Sequence, residues 1–151
     1  MSDIVLIFPH QLFRQHPGLQ HTREVVLAEE FLFFKEFAFH KHKLMLHRAS
    51  MKSYEAYLQK LNHQVNYIET AALQSDVRHL IPYLKQQGVE RIHVCELADD
   101  WLYKRLTKAC HQSQIECITH PSPGFLNTRA EGIKYLSEKK KYFQTDFYIA
   151  Q

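Results

Sequence analysis

Ile4-Val5-Leu6-Ile7-Phe8, closed at once by Pro9-His10-Gln11, decides the fold. Five apolar residues without polar alternation make a strand buried on both faces, the kind found inside a parallel sheet covered by helices. Four further short runs follow: Val25–Ala28, Val65–Ile68, Arg91–Cys95 and Ile115–Ile118. Between them lie helical patterns over about 41–61, 76–87 and 99–111, with Gly88 closing the second. Strands alternating with helices predict an α/β domain, a Rossmann-like doubly wound parallel sheet. Right-handed crossovers narrow the topology to five strands in the order 3-2-1-4-5, with helices on both faces.

The first long helix carries an unusual load. His40-Lys-His-Lys-Leu-Met-Leu-His-Arg48 packs His, Lys and Arg into its opening turns before an apolar stripe takes over at Leu44, Met51, Tyr54, Leu58 and Leu61. Lys41, Arg48 and Lys52 fall on another side. A helix N-terminus already favours anions through free N–H groups and the macrodipole. The extra cations read either as a solvated face or as part of a pocket for an acidic or strongly polar ligand.

In a sheet of this order, ligands bind beyond the carboxyl ends of the strands where the order reverses, here between strands one and four. Strand one ends in Pro9-His10-Gln11, strand four in Cys95-Glu96-Leu-Ala-Asp-Asp-Trp101. Strand two delivers Glu29 and Glu30, then Phe31, Phe33, Phe34, Phe37 and Phe39. Polar groups from several loops beside aromatics suit a planar polar ligand. Each also has a plain structural use. Asp99 or Asp100 is a natural N-cap for the helix carrying Trp101, the phenylalanines divide between core and lid, and the two glutamates flank a strand. A metal at His40, His42 and His47 is disfavoured, because i,i+2 positions on a helix point apart.

Other signatures are missing. With only Gly18, Gly88, Gly124 and Gly132, the chain has no glycine-rich phosphate loop, and no G-x-S-x-G elbow or nucleophile–base–orienter set can be assembled. These residues read as a binding domain, not a catalyst. The 151 residues, 45% hydrophobic and 23% charged, make one ordinary globular core, and a formal charge of +3 favours no partner class. Eleven histidines make that charge sensitive to pH near neutrality. Cys95, Cys110 and Cys117 show no metal-like spacing and read as small buried residues in a reducing, cytoplasmic setting. Neither a signal peptide nor a transmembrane run is visible, so no membrane partner is expected.

The organisation expected is an α/β domain over 1–127 and a helical tail over 128–151, opened by a capping box at Thr128-Arg-Ala-Glu131. The tail holds Lys139-Lys-Lys141, weak as a DNA contact, and the aromatics Tyr142, Phe143, Phe147 and Tyr148.

Several segments in order resemble one family. They are Leu6-Ile-Phe-Pro-His-Gln-Leu12, the His40–Met51 helix with Tyr54 and Leu58, Gln64-Val-Asn-Tyr-Ile68, Glu96 with Trp101, and Pro123-Gly-Phe-Leu-Asn-Thr-Arg129 with Lys141 and Phe147-Tyr148. They resemble the N-terminal domain of the deoxyribodipyrimidine photolyase-related proteins, the iron–sulfur bacterial members of the cryptochrome/photolyase superfamily. The resemblance implies a Rossmann-like domain holding a ribityl lumazine light-harvesting antenna. Flavin (FAD), the iron–sulfur cluster and the DNA-binding surface would belong to a C-terminal helical region not present in these residues. Phe143, Phe147 and Tyr148 would pack on that region, and DNA would be met only through the full-length protein. On this expectation the chain is a truncated gene product or a standalone antenna-type domain.

By position, Gln11 matches the family's turn residue and should line the pocket, while position 10, Asp or Asn in the family, is His10 here. Glu29 matches the acidic residue after strand two, and His40, Lys43 and His47 occupy the basic helix facing the same crevice. With Glu30 and Glu96 these form the expected cofactor-binding set, with no catalytic residue. Chemistry would be the flavin's, in light-dependent DNA repair or blue-light sensing, with this domain orienting and shielding. Two alternatives stand beside it: a standalone nucleotide- or flavin-like ligand-binding module, and a small enzyme using His10 or His47 with Glu29 as acid and base.

Overall fold

A computed structural model describes residues 2–150. The strands are β1 (Ser2–Ile7), β2 (Glu24–Ala28), β3 (Val65–Ile68), β4 (Val89–Cys95) and β5 (Glu116–His120). The helices are α1 (Phe31–Phe34), α2 (Lys41–Lys60), α3 (Val77–Gln86), α4 (Asp100–Ser113), α5 (Arg129–Ser137) and α6 (Gln144–Ile149), with a 3₁₀ turn at Leu73–Ser75. All five strands lie parallel in the order β3-β2-β1-β4-β5, as the sequence predicts.

The unbroken apolar run of β1 is explained by its central place. Ile4, Leu6 and Phe8 join the layer under α3 and α4, with Val26, Ile92, Leu80, Ile81, Leu102 and Leu106. Val5 and Ile7 face the other way, with Val25 and Leu27, against Met51, Tyr54 and Leu58 of α2. Each fully buried Leu or Ile contributes about 1.5–3 kcal/mol relative to exposure. The stripe read on α2 is buried at Met51, Tyr54 and Leu58, half-buried at Leu44 and exposed at Leu61, where the helix ends.

Helix ends follow local chemistry. Asp76 caps α3 by accepting from Arg78 N, Asp99 caps α4 by accepting from Leu102 N, and Thr128 with Glu131 closes the capping box of α5. Gly88 supplies the left-handed residue (φ 82°) after α3. β5 begins one residue later than predicted and runs on to His120, because Ile115, although buried, belongs to the turn that leaves α4. The cysteine reading holds for Cys95 and Cys110, which are buried, whereas Cys117 on β5 is only half-buried.

Residues 8–23, which link β1 to β2, contain no helix. The α2 tyrosines hold this crossover: Tyr54 OH donates to the Phe13 carbonyl at 2.7 Å and Tyr57 OH to that of Arg14 at 3.1 Å. Side chains of α5 and α6 are nowhere fully buried; Phe147 packs edge-on against Tyr135 at 5.2 Å while Phe143 and Tyr148 stay exposed. Among the described residues no helix is long and apolar enough to cross a membrane.

Candidate functional site

β1 and β4 leave the sheet side by side, and Gln11 ties their ends together. The turn after β1 folds back through Gln11 N donating to the Phe8 carbonyl at 2.9 Å. Its Nε2 then donates to the carbonyls of Cys95 (3.0 Å) and Glu96 (3.1 Å). Gln11 is buried, and its Oε1 has no hydrogen-bond partner. Gln11 thus staples the ends of β1 and β4 together at the switch point.

A cleft of about 490 Å³ is lined by Leu32, Phe33, Phe37, Phe39, Lys43, Asp99, Asp100 and Trp101. The phenylalanines come from the α1 segment, Lys43 from the first turn of α2, and the acids and Trp101 from the start of α4. Three chain segments thus meet where the strand order reverses. Phe37 and Trp101 pack against each other with centroids 6.1 Å apart, yet are 56% and 52% exposed, so both keep surface open to a ligand beside the pair. Lys43 Nζ sits 3.7 Å from the Phe39 ring centroid, a cation held over an aromatic face.

His10 stands beside this cleft, its ring 4.9 Å from Phe33 and 6.3 Å from Phe8. The surrounding protein desolvates it and lowers its pKa; Asp99 pulls the value back up and His47 pushes it down. Part of His10 still meets solvent, which moderates the shift. The His47 ring lies 6.4 Å from Phe33 and 6.0 Å from Phe34, its pKa lowered by desolvation and by Lys43. Both imidazoles are therefore neutral at pH 7 and can donate or accept.

The glutamates go elsewhere. Glu29, fully buried, takes a bidentate fork from Arg48 (Nε 2.6 Å, Nη2 2.5 Å), the Tyr67 hydroxyl (2.7 Å) and Thr70 N (2.8 Å). Burial pushes its carboxyl up, but these donors outweigh burial and hold it below the ordinary value. Glu30 is also buried, accepting from Leu32 N at 2.6 Å as the cap of α1 and from Val77 N at 3.5 Å. Burial, only partly opposed by those N–H groups, raises its pKa to about 7. Neither carboxylate reaches the cleft.

His40 is exposed at the tip of α2, where its Nδ1 accepts from His42 N at 3.2 Å. The i,i+2 argument fails for this pair: the rings meet edge-on at 4.9 Å, because His40 is an extended N-cap residue (φ −60°, ψ 133°) and not part of the helix. Among the described residues no three His, Cys, Asp or Glu side chains are grouped so as to hold a metal. Glu96 lies in a second cleft of about 450 Å³, with Leu97, Phe125, Leu126 and Phe147, its carboxylate 3.9 Å from Arg129 Nη1.

Of the sequence-predicted residues, His10, Lys43 and His47 gather around the switch-point cleft. Gln11 is not among the lining residues and ties the ends of β1 and β4, while Glu29, Glu30, His40 and Glu96 lie apart from the cleft. Phe33, Phe37, Phe39, Asp99 and Trp101 form the walls. Their signal was present as the phenylalanine run and the Asp-Asp-Trp at the start of α4, which read equally well as core, lid and cap.

A doubly wound parallel sheet with an aromatic cleft at its switch point defines a Rossmann-like α/β domain. The chain belongs to the deoxyribodipyrimidine photo-lyase-related protein family, whose profile matches residues 5–151. It is also similar to an uncharacterized protein of Acanthamoeba polyphaga mimivirus, 29% identical over 159 residues that span 98% of this chain and 80% of the viral protein.

Proposed function

We propose that this domain binds a planar light-harvesting chromophore of the ribityl lumazine type in the switch-point cleft. The observation that carries the reading is the exposed aromatic pair, Phe37 and Trp101, packed together on the wall of a cleft also lined by Lys43 and Asp100. A cleft of about 490 Å³ is of the size that takes ligands of this class. The exposed surface of Trp101 or Phe37 would stack on one ring face, while Lys43 and Asp100 offer charge-assisted partners to ring carbonyls and ribityl hydroxyls. His10, neutral beside Phe33, would set which ring edge points inward.

When bound, such a chromophore absorbs light and passes the excitation to a flavin. The chain's own part is to hold it rigid, oriented and shielded from water. Flavin, iron–sulfur cluster and DNA contacts belong, on this reading, to a helical region beyond residues 128–151. Light-dependent DNA repair or blue-light sensing would need both parts, acting in the cytoplasm.

A fluorescence titration with a ribityl lumazine, using riboflavin as competitor, tests the assignment. Saturable binding is expected, weakened about tenfold in Trp101→Ala by the loss of a stacking face. Saturable lumazine binding that Trp101→Ala leaves unchanged would place the ligand elsewhere. Tighter binding of riboflavin would favour a standalone flavin- or nucleotide-like module, the reading to which His10, in place of the family's Asp or Asn, already leans.

A further inference from the structure

The groove between α3 and α4 gathers positive charge that packing does not require. It forms a cleft of about 430 Å³ walled by Arg78 from α3 and by Lys104, Arg105 and Lys108 from α4, with no carboxylate among its lining residues. Pro82 and Ala109, both short, leave the space between the two helices open. Lys104 and Lys108 stand one helical turn apart, so their ammonium groups follow the groove. The groove lies further along α4 than the cleft at Trp101 and shares none of its residues.

Three of these cations have acidic partners, all of them outside the cleft. Arg78 gives Nε and Nη2 to Asp76, and Arg105 gives Nη1 to Glu36 at 2.8 Å. Those bonds fix both guanidinium planes and leave Arg78 Nη1 and Arg105 Nε and Nη2 without a partner among the described residues. Glu36 holds the Arg105 pKa up, while burial and the positive charge of Arg78 oppose it, so the two guanidinium groups repel one another. Lys104 meets Asp100 at 2.6 Å, but the side chains are 71% and 66% exposed, and an exposed pair of this kind yields easily to a better anion. Lys108 is exposed and has no ion-pair partner among the described residues.

We propose that this groove is a binding site for a free condensed phosphate of the tripolyphosphate kind. The arginine forks present fixed N–H donors to phosphate oxygens, and the two lysines add point charges along the chain. Four cations around about 430 Å³ match linked phosphates, which put a negative charge on every unit. An acidic peptide would spread its carboxylates over a larger area. No aromatic side chain lines the groove, so a nucleobase would find no stacking face there and adds nothing to the phosphate chain.

Isothermal titration calorimetry of the full chain with sodium tripolyphosphate in dilute salt tests the site, with ATP and a short DNA duplex as the second and third ligands. One saturable site is expected, with ATP binding no tighter than tripolyphosphate. Lys108→Gln should weaken tripolyphosphate about tenfold by removing one charge-assisted contact. Lys140→Gln makes the same change of charge in the exposed tail and should leave the affinity within about twofold. Absence of a saturable site, or equal losses in the two variants, overturns the proposal. ATP binding about tenfold tighter than tripolyphosphate assigns the site to a nucleotide, and tighter binding of the duplex that Lys108→Gln abolishes assigns it to nucleic acid; either result overturns the proposal. An unchanged urea midpoint shows that Lys108→Gln is folded, and Lys104→Gln, also on an exposed side chain, repeats the test independently.

Discussion

Replacing Arg48 with alanine removes the fork that holds Glu29 and leaves a buried carboxylate with two donors in place of four. Breaking a buried pair from one side costs about 3–5 kcal/mol. Here Arg48 is 47% exposed while Glu29 is fully buried, and Tyr67 and Thr70 continue to donate, which reduces the expected loss to about 2–3 kcal/mol. For a chain of this size that lowers Tm by about 5–10 °C.

The pH dependence carries a second signature. A carboxyl whose pKa is depressed in the folded state contributes stability above its unfolded value and loses it as pH falls through the folded one. Glu29 is depressed in the wild type, so its contribution survives until the pH drops below the usual carboxylate range. Without Arg48, burial gains ground and the Glu29 pKa rises, so the acid loss of stability shrinks and the variant's deficit against wild type narrows as pH falls. Urea unfolding at pH 7 and pH 5, in a double-mutant cycle with Glu29→Gln, measures both effects. A coupling below about 0.5 kcal/mol would refute the anchor, and an unchanged pH profile would refute the balance assigned to Glu29.

Its neighbour should titrate in the opposite sense. Glu30, raised to about 7, favours protonation in the folded state, so stability is highest near its unfolded value and is lost as pH rises from about 4.5 through about 7. Glu30→Gln mimics the protonated form and should exceed wild type by about 1–3 kcal/mol at pH 8 with little advantage at pH 5, read from urea midpoints at the two pH values. Gln11→Ala, which frees the Cys95 and Glu96 carbonyls, should cost about 2–3 kcal/mol and speed amide exchange in the turn after β1.

The sheet was legible because its strands are buried on both faces and so carry no polar interruption. Val65–Ile68 fits residue for residue, while β5, an edge strand carrying Glu116, Thr119 and His120, has an apolar content that misplaces its start. The switch-point rule depends only on strand order and pointed to the turn at His10, which lies beside the Phe33 wall of the cleft. The roles of the glutamates were not legible. Glu29 and Glu30 are neighbours of identical chemistry, and their separate fates are set by Arg48, Tyr67 and Thr70 on one side and by Leu32 and Val77 on the other. Those partners lie up to 47 residues away in sequence. The reach of Gln11 to β4 was hidden for the same reason, spanning 84 residues to the Cys95 carbonyl.

The central place of β1 also governs when the molecule can assemble. Its partner β4 follows by most of the chain, and the Asp3–Arg91 bridge that locks their register joins residues 88 apart. Among the described residues no hairpin starts the sheet locally, because every pairing is parallel and needs a crossover. Non-local parallel pairing of this kind slows folding relative to a helical bundle of the same size. During synthesis at about 5–20 residues per second, β1 waits some 5–20 s for its second neighbour. Through that interval the edge of β1 that β4 will cover stays unpaired on the most apolar segment of the protein.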